Sequence, residues 1–345
     1  MSANISFLKY DDSYKEIWES INKDTTSTFL SSIDWINFQK SLGKEIHQYL
    51  IKKEDNFIGN FYIEVFGRRI AKYAYSPYGP VLNIQEHELE EVYKQIKTWQ
   101  IQFAKEQGLN CFRIDPLINA QYLEIFTSLG YKKSMAPTQA KYVWEIDITK
   151  SEDELLAEMK KVTRYNIKNS AKSGIEIIKA NSEEEVIEFF NILADTTKRH
   201  SFASFSLTYF VKQFQELKDS EFNLYLAKYG NKFISGALIN TYNHIGYYSH
   251  GGSLADRQLQ KYGASYLLHW EIIKDLKQRG FNKYNMWGVV PENINVENGM
   301  KGVSEFKRKF GGYELDYVGG LDVQVNPLYL VQRIAERFIY KNDRY

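Results

Sequence analysis

A single cysteine, Cys111, stands among 345 residues, which excludes a disulfide framework and a thiolate metal cluster. It lies in the apolar run Cys111-Phe112-Arg113-Ile114 and reads as a buried strand residue rather than a nucleophile. Proline is scarce, at 6 residues against 26 tyrosines; tyrosine at that density suits strands and clefts with polar rims. No stretch approaches about 18 consecutive apolar residues, so no segment reads as a membrane span. The start, Met1-Ser2-Ala3-Asn4-Ile5-Ser6, lacks the basic-then-apolar pattern of a secretory signal, and a cytoplasmic protein is expected. Charge of one sign is lacking too: 44 basic against 43 acidic residues leave a net +1. No global field then draws nucleic acid, and any such site must be a local patch. The scattered histidines show no metal-ligand spacing, so no metal is expected. Gly-x-Ser-x-Gly, Gly-x-x-x-x-Gly-Lys-Ser/Thr and His-Glu-x-x-His are all absent, which removes the commonest hydrolase, nucleotidase and zinc-protease signatures.

What the chain does contain is ordinary globular composition, 43% hydrophobic and 25% charged, at a length suited to two domains. It also contains an internal repeat. Tyr49-Leu50-Ile51-Lys52, Phe57-Ile58-Gly59 and Tyr73-Ala74-Tyr75-Ser76 are matched by Tyr225-Leu226-Ala227-Lys228, Phe233-Ile234-Ser235-Gly236 and Tyr247-Tyr248-Ser249. Each set reads as strand, tight turn, strand, strand. A helix follows in each copy, near Glu88–Gln107 and Gly263–Arg279, and ends at Gly108 or Gly280, suited to a left-handed C-terminal position. A strand then follows, Leu109–Asp115 or Phe281–Trp287. The matched order argues for two domains of similar α/β fold. Between them Ile146–Lys150 reads as a strand leaving the first domain, and Ser151 with Glu154 forms a capping box opening a helix that runs to Ser173. Pro327 opens a last helix through about Tyr340, with Leu330, Ile334, Ala335 and Phe338 on one face that must pack somewhere.

Three features could carry chemistry. Lys161, Arg164, Lys168 and Lys172 share one helix face with no interleaved acid; such a face is either solvated or built for phosphates. Gln260-Lys261-Tyr262-Gly263-Ala264-Ser265 opens a helix with a glycine loop of the kind that cradles a pyrophosphate, or simply packs tightly. In Val303-Ser304-Glu305-Phe306-Lys307-Arg308-Lys309-Phe310-Gly311-Gly312 a strand-like reading puts Phe306, Arg308 and Phe310 on one face and Lys307 on the other. Spacing alone describes a surface cluster of cations there; a lysine held by buried neighbours could instead steady developing negative charge.

The loop at Gln260–Ser265 is similar to the acetyl-CoA loop of GNAT N-acetyltransferases. More of the chain resembles the FemABX family of aminoacyl transferases, from about Phe29 to Asp322. The likeness is carried by Tyr75-Ser76-Pro77-Tyr78-Gly79-Pro80-Val81, Phe112-Arg113-Ile114-Asp115-Pro116, Thr163-Arg164-Tyr165-Asn166-Ile167-Lys168-Asn169-Ser170-Ala171 and Phe306-Lys307-Arg308-Lys309-Phe310-Gly311. The resemblance implies an α/β (α+β) fold of two tandem GNAT-like domains, each a mixed twisted sheet with flanking helices. The expected division is 1–146 plus 322–345, on the acceptor side, and 147–321, with an acceptor cleft between them. Residues 175–225 are too short for the coiled-coil insertion of some members, so a compact member is expected. The implied reaction joins an amino acid from aminoacyl-tRNA to a peptidoglycan-precursor peptide, with no cofactor beyond that co-substrate. Lys307 would contact the transferred acyl group and Asp115 would lie by the acceptor. Trp35, Tyr75, Tyr209, Tyr248 and His250 are candidate substrate contacts, and Asp115, Tyr248 and His250 compete as general base. The Lys161–Lys172 face would meet tRNA or acceptor phosphates. Members using a nucleotide-linked precursor carry a lysine two residues after the first-domain tryptophan and an arginine four residues before a Tyr-Phe pair. Here those positions hold Asn37, after Trp35, and Phe205, before Tyr209-Phe210, which counts against a nucleotide-linked acceptor and leaves the lipid-linked one, the favoured form, or another acceptor open; peripheral contact with the inner membrane surface is a further expectation. A CoA-dependent acyltransferase, or a non-catalytic precursor- or RNA-binding protein, are the rival readings.

Overall fold

The structure, a computed structural model, describes residues 4–68, 71–136, 138–200, 205–256, 259, 261–294 and 300–340. Its strands are β1 (Ile5–Lys9), β2 (Ile46–Lys53), β3 (Asn56–Arg68), β4 (Ala71–Ser76), β5 (Val81–Leu82), β6 (Cys111–Ile114), β7 (Lys132–Lys133), β8 (Tyr142–Asp147), β9 (Ile175–Lys179), β10 (Phe222–Tyr229), β11 (Lys232–Tyr242), β12 (Ile245–Ser253), β13 (Lys283–Gly288), β14 (Tyr313–Asp316) and β15 (Leu321–Gln324). Its helices are α1 (Lys15–Lys23), α2 (Ile33–Ser41), α3 (Leu89–Glu106), α4 (Leu123–Ser128), α5 (Glu152–Glu158), α6 (Lys161–Lys172), α7 (Glu183–His200), α8 (Leu207–Leu217), α9 (Ala264–Gln278), α10 (Met300–Arg308) and α11 (Leu328–Ile339). Among the described residues no helix is long and apolar enough to cross a membrane.

Two compact units divide the chain, residues 1–141 with 316–345, and residues 142–315. The boundaries expected at 146/147 and 321/322 fall earlier, because β8 hydrogen-bonds to β13, from Asp147 opposite Lys283 to Val143 opposite Gly288, and so belongs to the second unit. The first sheet runs β1-β2-β3-β4-β6-β15-β7 and the second β14-β8-β13-β12-β11-β10-β9. Read from β1 and from β9 the two orders match. In each, the first four strands are antiparallel neighbours, and the next pair, β4·β6 or β12·β13, is parallel. Even the first hairpin repeats, with a register shift at Ile51/Lys52 and at Ala227/Lys228. The strand beyond the parallel pair is the last strand of the first unit, β15, but the first strand of the second, β8. α3 and α9 cover corresponding places, followed by Gly108 at φ +66° and Gly280 at φ +81°, conformations that glycine adopts without Cβ strain. Phe61, Tyr93, Ile96, Phe103 and Phe112 centre the first core; Leu268, Ile272, Leu276, Tyr284 and Met286 centre the second. Cys111 is buried in β6.

Three segments differ from expectation. The capping box forms at Ser151 and Glu154, but the helix it opens breaks at Met159 and Lys160, both extended, and restarts as α6. The break lets Thr163, Ile167 and Ser170 bury against the second core, with the Thr163 hydroxyl donating to the Lys309 carbonyl at 3.0 Å. Residues 306–308 are not strand but the end of α10. The Phe306–Phe310 spacing fits period 2 and one helical turn equally, and both rings close on His269. Finally, α11 does return to the first unit, but by its polar side. Tyr329, Gln332 and Glu336 are buried, while Leu330, Ile334 and Phe338 are exposed. The cause is Arg113 on β6, buried and paired to Asp322 at 2.6 Å and to Glu336 at 2.9 Å. A buried guanidinium needs that charge more than the core needs another leucine.

Candidate active site

The chemistry of the second unit gathers where β12 and β13 part. Their parallel pairing ends at Tyr247 and Asn285. Beyond it β12 carries Ser249 as an extra residue, since His250 faces Leu238 while Tyr248 faces Ile239. β13 loses its register on β8 between Asn285 and Gly288, with Trp287 at φ +62°. Parted strands leave backbone groups that must bond elsewhere. α10 supplies the partners: Lys307 Nζ donates to the Gly288 carbonyl at 2.6 Å, Arg308 donates to the Val290 carbonyl at 2.7 Å, and the Ser304 hydroxyl accepts from Val290 N at 2.9 Å. Arg308 is held in turn by Glu314 at 2.8 Å.

Lys307 is only 5% exposed, so it is no part of a surface cluster. Burial lowers its pKa from 10.5 to about 7. Its ammonium lies 5.8 Å from the centre of the Tyr248 ring, and no carboxylate among the described residues pairs with it. One of its three donors meets Gly288, leaving two for a ligand. Tyr248 packs edge-on to His269, centroids 4.7 Å apart. His269 Nδ1 lies 2.7 Å from the Tyr284 hydroxyl. Burial and then the Lys307 charge hold the His269 pKa down at about 3, so the imidazole is neutral. A buried ammonium on a neutral aromatic floor is suited to meeting an oxygen that gains charge.

The other candidates fall into separate groups. The Ser249 bulge turns His250 to the opposite sheet face from Tyr248. There it meets Phe205 at 5.6 Å and Phe210 at 5.2 Å, and Tyr209 stacks on Phe205 at 4.1 Å. Burial lowers the His250 pKa to about 4. In the first unit, Asp115 follows β6 and is buried. Its carboxyl accepts from the Tyr75 hydroxyl at 2.6 Å, Tyr78 N at 2.6 Å and Gln139 N at 2.7 Å. Burial outweighs these donors and raises its pKa to about 7, while the Tyr75 hydroxyl is pushed up by burial and by Asp115. Asp115 thus ties two loops together. Trp35 lies in α2 between Phe29 and Phe38, edge-on to both at 4.8 and 5.4 Å.

Of the basic face, Lys161, Lys168 and Lys172 point outward from α6. Arg164 instead closes the C-terminal end of α5, where its guanidinium donates to the Met159 carbonyl and, at 3.2 Å, to that of Leu156. In the glycine loop, Gln260 lies outside the described residues. Gly263 takes φ +67° at the start of α9, where a Cβ would come within 3.0 Å of Asn166, and Ser265 Oγ bonds Ser235 Oγ at 2.9 Å. The cavity beside it, lined by Ile234, Ser253, Leu254 and Phe306 among others, holds about 200 Å³, below the roughly 300–1,000 Å³ usual for cofactor sites. Sequence reasoning passes over His269, Tyr284 and Gly288. A histidine inside the apolar run Leu267-Leu268-His269-Trp270 is the available signal.

A mixed sheet of four antiparallel neighbours followed by one parallel pair, present twice in one chain, defines a tandem GNAT-like fold. The chain belongs to the FemAB family, whose profile matches residues 126–229 and 218–337. It is 23% identical over 415 residues to the aminoacyltransferase FemA of Staphylococcus epidermidis, covering 94% of this chain and 97% of that one. That alignment is longer than this chain, so the relative carries segments without counterpart here. The crystal structure of FemX matches 94% of this chain and 99% of its own, with a TM-score of 0.80 at 15% identity. A tandem GNAT protein from the clavulanic acid biosynthesis pathway matches 94% of this chain and 99% of its own, with a TM-score of 0.57 at 9% identity.

Proposed function

We propose that this chain transfers an amino acid from aminoacyl-tRNA to an amine on the stem or bridge peptide of a peptidoglycan precursor, with the lipid-linked precursor as acceptor. Its kinship with aminoacyltransferases supports the reaction class. The observation that carries the chemistry is the buried, carboxylate-free ammonium of Lys307 at the parting of β12 and β13. The acceptor nitrogen attacks the ester carbonyl, a C–N bond forms, and the C–O bond to the tRNA ribose breaks. The amine's proton leaves and the ribose oxygen gains one. The ester is already activated, so no covalent enzyme intermediate and no cofactor are needed. Positioning and charge stabilisation are the protein's contribution. Lys307 donates to the carbonyl oxygen as it becomes an oxyanion; that negative charge draws the lysine back to its protonated form.

Tyr248 lines the acyl site. Asp115 acts as a positioning residue that fixes Tyr75 and its loop on the acceptor side, and Trp35 is a further substrate contact. Tyr209 and His250 form an aromatic contact for substrate, and Lys161, Lys168 and Lys172 receive phosphates. Asn37 and Phe205 supply no cation where a nucleotide-linked acceptor would want one, which supports the lipid-linked form. The test mixes purified protein, charged total tRNA and either lipid-linked or nucleotide-linked precursor, and reads the acceptor's mass. An increment of one aminoacyl residue on the lipid-linked form is expected. No increment with charged tRNA, but one with acetyl-CoA, would move the protein to the CoA-dependent class.

A further inference from the structure

Eleven large apolar side chains are exposed among the described residues, and six of them sit on α11: Leu328, Leu330, Val331, Ile334, Phe338 and Ile339. Their exposure is high, 59% for Val331 and 75% for Phe338. At about 100° per residue these six, with Ala335, fill one continuous arc of roughly 180°. The opposite side is taken by Tyr329, Gln332 and Glu336, buried around Arg113. A helix that turns half its circumference of apolar surface to water marks an interaction site.

The charges around the arc indicate what covers it. The one acid on α11, Glu336, is consumed by Arg113. The remaining charges of α11 are Arg333 and Arg337, which follow one another along one border of the arc. Arg333 reaches the Lys133 carbonyl at 2.6 Å, bringing the exposed Lys132 and Lys133 of β7 beside the same border. A two-fold partnership with a second copy of this chain would set these four cations against their own images. An anionic phospholipid surface answers both features, with acyl chains for the arc and headgroups for the cations. The 12 residues of α11 span only about 18 Å, so the helix lies along such a surface rather than through it.

We infer that α11 docks this protein on anionic membranes, with Leu330, Val331, Ile334 and Phe338 entering the headgroup boundary and Arg333, Arg337, Lys132 and Lys133 contacting lipid phosphates. The inference deepens the lipid-linked acceptor reading and rests on it. It is tested by flotation with vesicles of phosphatidylcholine alone or mixed with phosphatidylglycerol, no acceptor being present. The wild type should float with the mixed vesicles, weakly with the neutral ones, and less at high salt. Val331→Glu/Phe338→Glu should lower partition at least about 30-fold with Tm unchanged, because both side chains are exposed. If that variant loses Tm, Val331→Gln/Ile334→Gln replaces it. Equal partition of variant and wild type, or equal binding to both vesicle types, would overturn the inference. So would a wild-type dimer in sedimentation velocity that the variant dissolves without any vesicle binding. Transfer to lipid-linked precursor in detergent by a protein that ignores vesicles would sink α11 docking and leave the acceptor reading intact. Vesicle binding with transfer only to the nucleotide-linked form would do the reverse.

Discussion

Replacing Lys307 by methionine should impair the enzyme and alter its stability by an amount that depends on pH. The lysine's pKa falls from 10.5 unfolded to about 7 folded, through burial. Near pH 6 it is protonated in both states, so folding bears the full penalty of burying the charge. Above about pH 7 the folded protein releases the proton while the unfolded chain keeps it. The unfolded state then binds more protons, and stability rises with pH. At about 1.4 kcal/mol per pH unit, the wild type should gain about 2–3 kcal/mol over Lys307→Met between pH 6 and pH 9. Loss of the bond to Gly288 adds a cost of about 1 kcal/mol that does not vary with pH. Urea unfolding of both proteins at the two pH values reads the difference. In the transfer assay kcat should fall roughly 10²–10³-fold, the effect of losing one oxyanion donor, with acceptor KM little changed. A stability difference flat across pH together with unimpaired kcat would refute the reasoning and make Lys307 a structural tether for α10. Intact kcat with a raised KM would make it a substrate-phosphate contact.

Other expectations follow from neighbouring groups. Arg113→Met should destabilise by about 3–5 kcal/mol, because Asp322 and Glu336 stay buried without their cation; denaturant titration measures it. Asp115→Asn turns an amide N–H toward either the Tyr78 donor on one side of the carboxyl or the Tyr75 and Gln139 donors on the other, and should cost about 2–3 kcal/mol and loosen residues 75–79 in hydrogen exchange. Lys161→Glu/Lys168→Glu/Lys172→Glu should weaken tRNA binding and reduce the slope of log K against log salt by about 2–3 with unchanged Tm; an unchanged slope would make the face plain solvated surface. Lys307→Arg, which holds its proton at higher pH, should move the alkaline limb of kcat/KM upward from near pH 7.

The repeat is legible because each element announces itself locally: strands by short β-rich runs, helices by apolar spacing, their ends by Gly108 and Gly280. The buried state of Cys111 follows from the same local signals. Direction is harder. The apolar stripe of the last helix is visible in Leu330, Ile334 and Phe338, but periodicity does not say which side faces the core. Arg113 decides that from 223 residues away through Glu336. Lys307 stands out in the sequence for a strand face it does not occupy, since Phe306 and Phe310 satisfy both periods. His250 and Tyr248, two apart, would share a face in a regular strand; the bulged Ser249 puts them on opposite ones. Arg164 fits a charge pattern in the sequence and a helix end in space, because the break at Met159 has no strong sequence mark.

The completion of the first sheet by β15 bears on how this chain is made. Asp322 emerges 209 residues after its partner Arg113, a wait of roughly 10–40 s at 5–20 residues per second. By then every strand of the second unit, β8 to β14, has been synthesised. The second unit therefore has the means to close first, and the N-terminal half stands with β6 as an open edge. An unneutralised guanidinium in the middle of that edge keeps it hydrated and discourages pairing with other chains. The same arginine that locks the finished unit thus guards the unfinished one. Proteolysis of ribosome-stalled chains should find residues 142–315 protected before residues 1–141.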